Sequence, residues 1–197
     1  QRNYCLIVGF ENPCYVYRAI AAPHVEQCLT MYSDVLALID NILNADLKES
    51  IKIRPYPNLG WDLKSRFEDM LGKNIIQNGC NLYSAFRSAK IIICTYPNTT
   101  LSEAMVSGRP TLLLYKKSFW ELHDHFKPLL EILRQAKIVH DDPVRLSKHL
   151  DEIWPDPEVW WSSSEVLEAR EAFSEVAISV SKDSFDVWGQ FLKSYRN

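Results

Sequence analysis

No apolar run in the 197 residues approaches the roughly 20 that a membrane-spanning helix needs. The opening QRNYCLIVGF has neither an initiator Met nor the plan of a signal peptide, and it reads as a cut made within a longer protein. No CxxC occurs, and the five cysteines (Cys5, Cys14, Cys28, Cys80 and Cys94) are odd in number. That argues against a disulfide framework or a zinc site and for reduced thiols packed as small hydrophobes in a cytoplasmic protein. GxGxxG, GxxxxGK and GxSxG are all missing, so the classical dinucleotide fingerprint, the P-loop and the hydrolase elbow are excluded. Positive charge is not in excess: Lys and Arg total 22 against 25 Asp and Glu, a net charge of −3. A general nucleic-acid binder would carry a basic footprint instead. There is no internal repeat and no low-complexity linker.

What is present is an ordinary globular mixture, 47% hydrophobic and 24% charged, long enough for one sizeable core. Short β-like runs alternate with helical patterns. Strands are expected at Tyr4–Val8, Ile51–Arg54, Lys90–Thr95, Thr111–Tyr115 and Lys137–His140, with a short one at Ile75–Ile76. Helices are expected over Met31–Leu43, Asp62–Leu71 (Asp62 as N-cap), Leu82–Ala89, Leu101–Ser107, Glu121–Gln135 and Pro143–Ile153, then one or two from Glu165 to Tyr195. In the first of these, Tyr32, Val35, Leu36, Ile39 and Leu43 are spaced for one face. The alternation means βαβ units and a mostly parallel sheet, and runs such as IIIC and LLL suit a sheet covered on both faces. The expected architecture is a doubly wound, Rossmann-like α/β domain over residues 1–160, with C-terminal helices over 161–197 packed on it. Ligands then belong beyond the carboxyl ends of the strands.

The stretch Ile91–Tyr115, IIICTYPNTTLSEAMVSGRPTLLLY, carries the chemistry. Its strand ends at Thr95, which puts the Tyr96–Thr100 turn on the ligand edge. Thr100 and Glu103 have capping-box spacing. A helix starting there points N–H groups over 99–101 outward, a site for phosphate to which the Thr99 and Thr100 hydroxyls add donors. Glu103, one turn in, is placed to accept from the 2′- and 3′-hydroxyls of a ribose. The same local pattern equally fits a helix that is merely capped by Thr100 and Glu103 and ended by Gly108.

Other candidates read as structural. His123 and His125 flank Asp124, a spacing that does not share a helix face, so they are not a chelating pair. His140-Asp141-Asp142 fits a turn and N-cap better than a metal site, because the two Asp are adjacent rather than spaced. Trp154, Trp160 and Trp161, among Pro155 and Pro157, fit a packing role.

Leu101–Thr111, LSEAMVSGRPT, resembles the EAMxxGxP element of GT-B glycosyltransferases. RPYPNLGWD (Arg54–Asp62), CTYPNTTLSEAM, FWELH and EIWPDPEVWW further resemble bacterial transferases of surface-carbohydrate loci. The resemblance covers about Ile51 to Glu171. It implies the C-terminal, donor-binding domain of a GT-B fold, with ribose on Glu103 and phosphate on the turn formed by Tyr96, Asn98, Thr99 and Thr100. Sialyltransferase-like and Kdo-transferase-like enzymes carry His-Pro at the end of the second strand; here the pair is Arg54-Pro55, and Arg54 is suited to bidentate pairing with phosphate. Glu121 of FWELH is implied either as a ligand of ribose or donor sugar or as a helix cap.

The implied reaction moves a sugar from a nucleotide-sugar to a glycan or lipid-linked acceptor, without a metal or other cofactor. The implied location is the cytoplasm, at the inner face of the membrane. The acceptor and the catalytic base are expected from an N-terminal GT-B half outside this chain. A non-catalytic nucleotide- or partner-binding module and a GT-B-fold sugar-nucleotide epimerase are the alternatives.

Overall fold

The computed structural model describes residues 4–9, 14, 25–119, 122–178 and 183–195. Its five strands, β1 (Tyr4–Val8), β2 (Ile51–Arg54), β3 (Ala89–Cys94), β4 (Thr111–Leu114) and β5 (Val139–His140), run parallel in the order β2-β1-β3-β4-β5. The helices are α1 (Val25–Asp40), α2 (Ala45–Ser50), α3 (Leu63–Leu71), α4 (Leu82–Ser88), α5 (Thr99–Val106), α6 (Lys127–Gln135), α7 (Pro143–Ile153), α8 (Pro157–Trp161), α9 (Ser164–Ala177) and α10 (Ser184–Ser194). This is a Rossmann-like α/β fold, as the alternation of strand and helix patterns implied.

Successive strand residues serve opposite layers, which is why the central strands are apolar over most of their length. Cys5, Ile7, Ile91, Ile93, Leu112 and Leu114 pack in one cluster with α1, α3 and α7. Leu6, Ile92, Cys94 and Leu113 pack in the other with α4, α5, α6 and α9. The chain leaves β1 through α1 for β2 on one side. From β3 it proceeds through α5 and α6 to β4 and β5 on the other, with those helices in the opposite layer.

Several boundaries differ from the sequence expectation. α1 begins at Val25 and stops at Asp40, so Leu43 falls beyond the helix and is 87% exposed while Ile42 is buried in its place. Asp151 of α7 accepts hydrogen bonds from the N–H groups of Leu43 (3.0 Å) and Asn44 (3.1 Å), which holds the chain in that turn. α2, unforeseen, is six residues long with Leu47 its buried residue, too short to show a period; Asn44 caps it. Ile76 contributes a single bridge to Ile53, preceded by a 3₁₀ turn, rather than a strand. α6 begins at Lys127 after a 3₁₀ turn at Asp124–Phe126.

The tryptophans pack as expected. The Trp161 indole is buried, donates to Gly108 O (3.2 Å) and lies 4.3 Å under the Arg170 guanidinium. Trp160 donates to Ala136 O (3.3 Å). α9 enters the core through Val166, Ala169 and Phe173, whereas α10 buries none of its side chains.

His149 of α7 is 5% exposed, and neither ring nitrogen has a hydrogen-bond partner. Its ring stacks on His140 of β5 and meets Trp160 of α8 edge-on. Glu152 lies 3.7 Å from Nδ1, beyond hydrogen-bond reach. Burial, aided by the nearby His140 and Lys137 charges and opposed by Glu152, pushes its pKa from 6.5 down to about 4. The folded chain therefore binds this proton less readily than the unfolded chain. Stability present above pH 6.5 is lost as pH falls toward 4, by at most about 3 kcal/mol. Urea unfolding at pH 7 and pH 4.5 checks this. His149→Phe, which keeps a ring against Trp160 and His140, is expected to remove that part of the pH dependence, and an unchanged slope would refute the assignment.

Candidate functional site

The sequence of connections reverses between β1 and β3. At such a switch point the loops diverge and leave a crevice outside the strand ends. A cleft of about 680 Å³ opens there. The ends of β1 (Val8, Gly9) and β3 (Cys94, Thr95) line it, and the Thr95 hydroxyl donates to Val8 O at 3.0 Å, tying the two ends together. Gly9 N donates to Arg54 O (2.9 Å), so the β1 and β2 ends are joined as well.

Arg54 closes β2 and faces the cleft. Its Nη1 donates to Cys80 O at 2.8 Å, and it pairs with no carboxylate among the described residues. The guanidinium thus organises the Gln77–Cys80 loop, which forms another cleft wall, while keeping its charge uncompensated. The Pro55–Asp62 loop turns on Asn58, whose Oδ1 accepts from Gly60 N (2.8 Å) and Asp62 N (3.3 Å). Gly60 sits at φ 115°, and a Cβ there would lie 2.4 Å from Cys14 Sγ, so only glycine fits. Asp62 occupies the N-cap position of α3 with a left-handed backbone, but its side chain makes no cap hydrogen bond, contrary to the sequence expectation.

On the β3 side the turn closes differently from the expected capping box. α5 starts at Thr99, and Asn98 is its cap, with Oδ1 accepting from Thr100 N at 3.0 Å. Asn98 O accepts from Leu101 N (3.0 Å), and Asn98 N donates to Tyr96 O (3.1 Å). Of the amides over 99–101, only that of Thr99 has no acceptor among the described residues. Asn wins over Thr here because its side chain reaches the helix amide from an extended backbone.

Arg54, Tyr96, Asn98 and Thr100 are therefore brought together along one cleft, whereas Thr99 and Glu103 are not among its lining residues. Glu103 lies on α5, half-buried, near the Cys94 thiol, whose pKa is pushed up to about 12 mainly by burial and further by that carboxylate. Burial also raises the Tyr96 phenol. Glu121 lies outside the described residues. Among the described residues no group of three His, Cys, Asp or Glu is placed to hold a metal. Sequence reasoning did not single out the Gln77–Cys80 wall or the cleft-facing Asp62. The signal for the first was the Asn78-Gly79 turn pair; the second was obscured by reading Asp62 as an ordinary cap.

The fold is a parallel α/β one with a cleft at the carboxyl ends of its strands. A family model described as LIC12162 family transferase matches residues 1–192, and the chain belongs to that family. It is a member of a transferase family. No curated protein and no solved structure gives a significant match. No described helix is long and apolar enough to cross a membrane.

The cap assignment has a direct consequence. Asn98→Ala is expected to cost about 1 kcal/mol of stability, the usual loss for an N-cap. Thr100→Val should stay within about 0.5 kcal/mol, as for a surface substitution away from special features. Urea titrations of both variants decide it; the reverse order would restore Thr100 as the cap.

Proposed function

We propose that the chain is the donor-binding part of a glycosyltransferase that uses a nucleotide-sugar, with the donor in the cleft at the β1–β3 switch point. The observation that carries this is Arg54: a guanidinium at a strand carboxyl end, held by one carbonyl and paired with no carboxylate among the described residues, in a cleft lined largely by amides and hydroxyls. An uncompensated, positioned Arg suits phosphate, which it meets with a fork of donors. Tyr96, Asn98 and Thr100 belong in this reading to the phosphate side of the ligand. The family match, limited to a transferase, is consistent with it.

In the reaction the bond between the anomeric carbon and the diphosphate breaks, an acceptor hydroxyl bonds to that carbon, and its proton passes to a base. Charge appears on the leaving phosphate. Arg54 and the α5 turn supply stabilisation there before the reaction begins, so no reorganisation is needed as the bond breaks. The acceptor, a glycan or lipid-linked glycan, and the base belong in this reading to an N-terminal GT-B half. A lipid-linked acceptor would place the enzyme at the cytoplasmic face of a membrane.

Calorimetry with UDP, GDP and CDP and the matching nucleosides tests the site. Arg54→Gln is expected to weaken the best-bound diphosphate by about 1.5–3 kcal/mol, the usual value for a hydrogen bond to a charged group, and to leave the nucleoside unaffected. Equal losses for diphosphate and nucleoside would mean that Arg54 serves only to hold the Gln77–Cys80 loop.

A further inference from the structure

We propose that Asp62 receives the vicinal hydroxyls of the ligand's sugar; this rests on the donor-site reading above. Among the described residues lining the cleft Asp62 is the one carboxylate. Arg54 and Lys64 line the same cleft, yet Asp62 pairs with neither: Lys64 Nζ lies 3.7 Å from Glu68, and Arg54 turns to Cys80 O. A cleft in which a cation and a carboxylate pair neither with each other nor with another charge among the described residues fits a ligand with an anionic end and a neutral, proton-donating end. A phosphate is repelled by the carboxylate. A pair of neighbouring hydroxyls is not, because one carboxylate accepts from both.

The backbone explains how the carboxylate stays available. Asp142 holds the same position at the start of α7 with an extended backbone (φ −130°, ψ 121°), and its side chain turns back to accept from Arg145 N at 2.8 Å. Asp62 has φ 51° and ψ 47°, and its side chain makes no such bond. The two are one residue type in one helix position, used in two ways. The left-handed conformation of Asp62 is held by Asn58, which takes the Asp62 and Gly60 amides on one oxygen, and by the Gly60 turn packed on Cys14. Left-handed backbone in a non-glycine residue is strained and marks positions where the surroundings fix a functional geometry. Asp156 before α8 also makes no cap bond, with φ −146° and ψ 84°, so what sets Asp62 apart is its left-handed backbone together with its place in the cleft.

Two sugars meet this description, the ribose of the nucleotide and the sugar to be transferred, and one set of titrations separates them. Wild type, Asp62→Asn and Asp62→Gly are titrated with UDP, GDP and CDP, with their 2′,3′-dideoxy forms, and with UDP-glucose, GDP-mannose and CDP-glucose. Asn keeps the shape and tolerates the left-handed backbone but loses the charge. Gly relieves the strain and is expected to melt higher than wild type while binding more weakly. Both variants should lose about tenfold in affinity, the difference between a charge-assisted and a neutral hydrogen bond. A loss confined to nucleotide-sugars assigns Asp62 to the transferred sugar. A loss for the bare diphosphates that vanishes in the dideoxy forms assigns it to ribose. Affinities unchanged in both variants, with Arg54 still required, would overturn this inference and leave the donor site standing. Failure of the wild type to bind any of these ligands would overturn both.

Discussion

The pairing of β1 on both its edges is the constraint on which the molecule depends. Cys5, Leu6 and Ile7 are fully buried because β2 flanks the strand on one side, β3 on the other, and helices cover both faces. A strand so placed has no polar position to offer, and its apolar run is the outcome. The same pairing creates the site. With β1 in the middle, the connection to β2 and the connection onward from β3 must diverge, and the cleft opens where they part.

The cleft is shaped by backbone groups more than by side chains. Arg54 anchors one wall through Cys80 O, Asn58 gathers two amides in the next loop, Gly60 admits Cys14, and Asn98 closes the turn before α5. Short polar links of this kind fix loops without filling the space between them. Hydroxyls, amides, Arg54, Lys64 and Asp62 are left facing a common volume, and among the described residues neither Arg54 nor Asp62 has a partner of opposite charge.

The central strands were legible because their burial is on both faces: IIIC and LLL are uninterrupted apolar runs, and β1, β3 and β4 stand within about a residue of where such runs place them; β2, IKIR, also stands at its expected place. Arg54, Tyr96, Asn98 and Thr100 were legible for the same reason, since a residue just past a strand end in a parallel sheet has only one edge to occupy. Helix ends were less so. Leu43 fits the period of α1, but the helix stops at Asp40, a stop imposed by Asp151 from 108 positions away. Thr100 and Glu103 match a capping box by spacing, while the cap is Asn98, because the extended backbone that lets Asn98 cap the helix leaves no mark in the spacing. Asp62 carries no local mark of its left-handed backbone; that follows from the fold of the Asn58–Trp61 loop against Cys14.

The order of the strands also sets a timetable for the growing chain. β1 is made first, and β2 follows within about 45 residues, but the strand that seals the other edge of β1 comes much later: Thr95, just beyond β3, bonds Val8 across 87 positions. At typical synthesis rates that interval is roughly 4–17 s. For that time the β3-facing edge of an apolar strand is open to any extended segment nearby, and for about the first half of it the β2-facing edge is open as well. The strand that makes the native core possible is thus also the one whose edge stands open to mispairing while the chain is being made.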